Sequence, residues 1–413
     1  MLLLSVRVCV PQKSPATGVD SFLKHMNKKI TISIIIILLL IGGGIYWFYS
    51  KKPAEERPAI ISALFPSAGE KEIEGLPSPS TDGNLPIGGE LPGGVVAGKN
   101  LIQLTSNAIS GAGSASTTIR YVEKSTGHIY EINPDGQNRQ RLSNTTILKT
   151  FETLWSYRAN KLIIRYLESS LVRNLSASVS TTTQGVFLPQ STAAVAVSPN
   201  EDKIFYLVLT EETAMGLTAN FENKNQKNIF NSPFGEFNVS WPKNDMITLL
   251  TKPSAFSEGF FYSLNSQTGK FGKIIGDVKG LTAFLSPDGA RVIYSESNSN
   301  SLETKIFNIK EKTSSDFDLR TLPEKCAWSK SNKDIVYCAV PDNFPQGDYP
   351  DDWYQGLISF KDSIWQKNFS TGETKVLINE TNTDVINPFL TKDENYLIFT
   401  NKTDNTLWSL KLK

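Results

Sequence analysis

The sequence predicts an all-β fold, a seven-bladed β-propeller standing behind one transmembrane helix. Three observations predict it. A turn-and-strand unit recurs along the chain with spacings of 42, 43, 45, 43 and 62 residues. Each unit holds several short apolar runs, the period of a four-stranded blade. A single uncharged stretch of twenty residues, 30–49, lies near the start.

Composition narrows the function classes first. Lys and Arg total 42 against 41 for Asp and Glu, so no net field favours nucleic acid as a partner. Only two histidines occur, His25 and His128, which excludes a zinc site built on several histidines. A Ser-His-Asp arrangement within the blades would have to use His128. The three cysteines, Cys9, Cys326 and Cys338, form no CxxC pair.

Residues 30–49 read ITISIIIILLLIGGGIYWFY, with eleven Ile or Leu. At about 1.5 Å per residue such a helix spans roughly 30 Å, the thickness of the hydrocarbon core. Tyr46, Trp47 and Tyr49 gather at one end, where amphipathic rings favour the interface. A cleaved signal peptide is the rival reading, but bulky aromatics and Lys51-Lys52-Pro53 stand where small residues should precede a cut. Arg7, Lys13, Lys24, Lys28 and Lys29 precede the segment almost unopposed by acids. The expected topology is a single-pass plasma-membrane protein, N-terminus cytoplasmic and propeller exported, with the lipid bilayer as partner of residues 30–49. Met26 opens MNKKITISIIII, an anchor complete in itself, so residues 1–25 read as an extension from a misassigned start or as a short tail. Residues 1–29 are thus the expected cytoplasmic part. Residues 50–99, rich in Pro, Gly and Ser, read as a flexible linker.

Residues 100–413 carry the repeat. Its clearest copies are AVAVSPNEDKIFYLVL (193–208), NVSWPKNDMITLLT (238–251), AFLSPDGARVIYSE (283–296), CAWSKSNKDIVYCAV (326–340) and PFLTKDENYLIFTN (388–401). TLWSYRANKLIIRYL (153–167) is a looser one. A further blade is expected at 107–143, although its first strand, within 107–113, is weak; without it the count is six. The last unit lacks an outer strand, and NLIQLTS (100–106) is expected to supply it from the other end of the chain. That pairing would close the ring and leave no strand edge open.

The SPDG-type turn, intact at Ser286–Gly289, resembles that of the TolB-type and WD-like propeller repeat families over residues 101–413. The WD dipeptide is absent. The resemblance implies architecture alone, since the motif is structural: Pro opens the turn and Asp accepts backbone N–H groups.

Candidate sites follow from the frame. Trp155, Trp241 and Trp328 fall on first or second strands, where aromatics fill the space between blades, the alternative being a carbohydrate platform. Cys326 and Cys338 are equidistant from the turn at Asn332 and would face each other across a hairpin, either as a disulfide or as two buried thiols. The 62-residue spacing marks an insertion, 341–362, between the second and third strands of the sixth blade. It holds Asp342 and a dense group, Asp348, Tyr349, Asp351, Asp352, Trp353 and Tyr354. That group is the expected contact for an unknown protein or glycan, against the plainer reading of a solvated loop. DYPDDW is not a calcium loop, GAGSAST (111–117) lacks the Lys and helix of a phosphate loop, and no GxSxG elbow occurs. No catalytic residue, metal ligand or cofactor is assigned. The expected function is an exported binding or scaffolding module. The alternative is a propeller hydrolase or lyase acting on an envelope glycan or peptide at the central funnel, with Glu236, Glu324 and Asp384 near strand starts.

Overall fold

The computed structural model describes residues 100–179, 185–298 and 301–413. Its second strands show why the repeat is so audible in the sequence. Lys203–Leu209 buries five consecutive side chains, and Ile335–Pro341 is buried along nearly its whole length. A strand covered on both faces needs apolar residues at every position rather than at alternate ones. Outer strands are the opposite case: Thr313–Asp316 is exposed throughout and carries no hydrophobic signature.

Seven four-stranded antiparallel sheets result, each running outward from a first, inner strand. Blades I to VI span 109–141, 150–187, 192–232, 237–279, 282–316 and 326–378. Blade VII takes three strands from 385–411 and its outer one, Leu101–Gln103, from the beginning of the described chain. Leu101 pairs with Leu410 and Gln103 with Trp408, the closure expected from the sequence. Residues 107–113 do contribute the first strand of blade I, Ile109–Ser114, so seven blades are present and not six.

Alternate side chains of one second strand enter different seams. Ile204 and Tyr206 pack toward Ile163 of blade II, whereas Phe205 and Leu207 pack toward Ile247 and Leu249 of blade IV. Five further clusters repeat the pattern. Val122 meets Leu162 between I and II, Leu250 meets Val292 between IV and V, and Ile293 meets Val336 between V and VI. Ala339 meets Phe399 between VI and VII, and Ile398 meets Ile119 where VII returns to I. Trp241 and Trp328 are buried in such seams, and half-buried Trp155 packs against another. The weakness of ISGAGS in blade I has a packing cause. A Cβ on Gly113 would stand 2.6 Å from the Cβ of Trp155, and one on Gly111 would stand 2.3 Å from the Thr153 carbonyl oxygen. The neighbouring strand comes so close that only glycine fits.

The turn between first and second strands is held by a hydroxyl that the motif reading overlooked. Ser286 Oγ donates to Asp288 and accepts the N–H groups of Ala290 and Arg291, while Gly289 takes φ +75°. Ser156, Ser198, Ser329 and Thr391 occupy the same place, and all are buried. Pro and Asp therefore shape the turn, but the preceding hydroxyl ties its two ends.

Turns of this kind, with those between third and fourth strands, form one face of the ring. Loops joining second to third strands, and each blade to the next, form the other. Among the described residues no helix is long and apolar enough to cross a membrane. The expected anchor at 30–49, the tail before it and the whole linker, 50–99, lie outside the described residues.

Ser286→Ala takes the Oγ acceptor from the half-buried Arg291 N–H, while the Ala290 N–H keeps Asp288, and should lower unfolding free energy by about 1–2 kcal/mol, read by denaturant titration. Pro287→Ala, which removes no partner, should cost clearly less.

Candidate functional site

The face of inter-blade loops carries the insertion, residues 342–361, between Ile335–Pro341 and Asp362–Asn368. It is folded down onto the ring. Tyr349 and Trp353 are 0% and 2% exposed and pack with Phe360, with Leu302 of blade V and with Leu322. The Arg320 guanidinium lies 4.4 Å from the Phe344 ring centroid. A one-turn helix, Asp351–Tyr354, follows the buried Pro350.

The six side chains singled out in the sequence thus separate by role. Tyr349 and Trp353 point inward and offer no surface to a partner, because aromatic area in a long loop gains more by packing on the ring than by meeting water. Asp351 Oδ2 accepts the Ala255 N–H from blade IV at 2.6 Å, and Asp352 Oδ2 accepts the Asp348 N–H at 2.8 Å. Asp348 is itself half-buried. Tyr354 keeps an exposed ring while its hydroxyl donates to Glu324. Burial pushes the Tyr354 hydroxyl well above the usual phenol range, with the Glu324 charge adding to it. Burial also raises Glu324 above the usual carboxylate range.

Beneath the insertion lies a buried group of ions. Lys325 Nζ donates to Asp362 Oδ2 at 2.7 Å, Asp384 Oδ1 at 2.6 Å and the Val385 carbonyl at 3.0 Å. Asp384 in turn accepts the Trp353 indole N–H, the Ser359 hydroxyl and the Phe360 N–H. The carboxylate is therefore the anchor of the insertion. Glu236, by contrast, is exposed on blade IV. Lys325 and Asp362 went unnoticed in the sequence because a charge beside a strand end reads as a solvated rim residue.

Exposed apolar side chains mark the same face. Of the twelve large hydrophobics that are exposed among the described residues, eleven, all but Phe271, lie in or within two residues of its loops. Phe234 and Phe256 are 73% exposed and Leu357 72%. A signal was present, for SPFGE and PSAFSE place Phe in turn-rich segments with no apolar neighbour to cover it. Single exposed residues are ordinary, but their concentration on one side of a disc is not.

A cavity of 290 Å³ opens where the first strands of blades I, II and VII begin, lined by Ser110, Phe151, Glu152, Asn387 and Asn405 among others. Glu152 is held by Arg165 at 2.5 Å, and Arg165 lies 5.4 Å from the Phe151 ring centroid. His128 is remote from such chemistry, its Nε2 3.2 Å from the Thr146 hydroxyl. Cys326 and Cys338 pair directly in the register, with Cα atoms 4.1 Å apart and sulfurs at 2.10 Å.

No protein-family model and no curated protein matches this sequence. Solved structures do resemble it. An oligogalacturonate lyase in complex with manganese aligns at TM-score 0.54 and 10% identity over 76% of this chain and 93% of that one. A second oligogalacturonate lyase, from Vibrio parahaemolyticus, gives 0.53 and 10% over the same shares. A chain of the Mitotic Checkpoint Complex gives 0.50 and 11%, covering 83% and 99%. These likenesses show the fold alone: the chain is an all-β, seven-bladed propeller.

Trp353→Ala removes a buried ring and one donor to Asp384, and should cost about 3–5 kcal/mol. Limited proteolysis of the variant should cut first within 342–361. The cysteine pair should resist alkylation in the denatured chain until a reductant is added, which peptide mass spectrometry would read.

Proposed function

We propose that the protein is a binding module, tethered to a membrane through residues 30–49, that takes a protein partner on the face of its inter-blade loops. The observation that carries this reading is the concentration of exposed apolar side chains there, led by Phe234, Phe256 and Leu357. The opposite face, built from the tied turns, carries charged pairs such as Lys161 with Glu222 and Lys243 with Asp245. Position of entry supports the assignment. The described residues enter the ring at Asn100, bonded to Lys411 beside the polar face, which leaves the apolar face clear at that point. A broad rim of loops on a rigid ring suits protein contact.

An enzyme at the central funnel, a hydrolase or lyase, is the second reading, and the 290 Å³ cavity at the strand starts favours it. Glu152 is the one carboxylate in its lining, and Arg165 holds it. A pair of free carboxylates, as glycoside hydrolysis uses, is not assembled there.

Pull-down from detergent-solubilised membranes tests the binding reading with Phe234→Asp/Phe256→Asp and, as a control on the other face, Lys243→Glu. Burial of each Phe contributes about 1.5–3 kcal/mol, so the double variant should lose partner recovery more than tenfold while the control keeps it. Equal recovery by all three proteins would remove this face from the interface.

A further inference from the structure

Lys325, Asp362 and Asp384 have no solvent exposure at all. With all three ionised the group carries a net negative charge sealed from water, an expensive arrangement even when well bonded. The rings of Trp353 and Phe360 close over the ammonium, each centroid 5.1 Å from Nζ.

The two carboxyls are held differently. Asp384 accepts an indole N–H, a hydroxyl and a backbone N–H in addition to the Lys325 ammonium. Asp362 receives the Val385 N–H at 2.7 Å and the Lys325 ammonium on Oδ2 alone. Its other oxygen, Oδ1, is buried and has no hydrogen-bond partner. Burial pushes the Asp362 carboxyl up to about 6 against the pull of Lys325. Two neighbouring carboxyls with such different partners can take different roles. Chemistry at this pair draws on the protonated fraction of Asp362, with Oδ2 as the polarised carbonyl oxygen and the unpartnered Oδ1 as the hydroxyl. Asp384 Oδ1, bonded directly to the ammonium, is placed as the proton acceptor.

We propose that Lys325 and Asp362 join in an intramolecular isopeptide bond, made by the folded protein itself with Asp384 as proton acceptor. Asp384 Oδ1 takes one proton from the Lys325 ammonium 2.6 Å away. The freed amine attacks Asp362 Cγ, whose Oδ2 is steadied by the Val385 N–H. The Cγ–Oδ1 bond breaks, and the departing hydroxyl leaves as water with a second proton from the nitrogen. One C–N bond forms, one water is lost and nothing is oxidised or reduced. Asp384 finishes neutral, so the reaction replaces a buried ion cluster with an amide and a carboxylic acid. Enforced contact supplies the high effective concentration that uncatalysed amide formation lacks, and the aromatic roof keeps out the water that would reverse it.

Peptide mass spectrometry of the reduced, alkylated full-length protein, purified in detergent, decides the matter. The bond would yield, on trypsin digestion, residues 321–330 joined to residues 362–367, uncut after Lys325 and about 18 Da lighter than the two peptides together. Separate peptides, with cleavage after Lys325, would overturn the proposal and leave a plain ion cluster. Asp384→Asn, checked for native circular dichroism, should lower the joined fraction at least tenfold. Undiminished joining in that folded variant would overturn the role given to Asp384. Lys325→Arg should yield no joined product.

Discussion

Every blade of this ring depends on its second strand being shared between two seams. Odd and even side chains of Lys203–Leu209 enter different clusters, so neither neighbour can be removed without exposing half of an otherwise buried strand. Seven seams, each filled by side chains from both sides, make the circle a single cooperative arrangement rather than seven independent sheets. Burial at about 25 cal/mol per Å² is then distributed evenly around the molecule, with no larger central core. The loops and the insertion are decorations on this frame and inherit their rigidity from it.

The insertion illustrates the inheritance. By itself a twenty-residue loop of Asp, Pro and aromatics would not order, since fixing its backbone costs more than its own contacts return. It orders because Asp384, rigid at the start of the first strand of blade VII, offers a carboxylate to which three of its groups bind, and because Leu302 and Leu322 offer an apolar floor. Asp384 is itself fixed by Lys325 on the approach to blade VI and by the Asn401 side chain, which accepts its N–H. Two blades and the insertion are thereby tied at one point.

How much of this was legible followed from burial. Strands covered on both faces, such as Ile335–Pro341, announce themselves, and their spacing sufficed for the blade count, the closing strand and the location of the insertion. Glycines chosen for close approach, as in Ile109–Ser114, read as weakness though they report tight packing. The direction in which the insertion faces was not legible, since Tyr349 and Trp353 would look the same in sequence whether stacked on a ligand or sunk in a core. Nor was Lys325: a buried lysine is recognisable only once two carboxylates distant in sequence are seen to meet it.

The strand Leu101–Gln103 gives the ring an ordering in time. It leaves the ribosome before any of the seven blades, yet its hydrogen-bonding partner, Leu407–Lys411, is among the last segments made. Throughout synthesis it must remain unpaired, a short apolar edge kept from competing sheets while blades I to VI assemble downstream. Docking of that strand is then the concluding event of folding, and the completed wheel is latched at the point where the chain begins it.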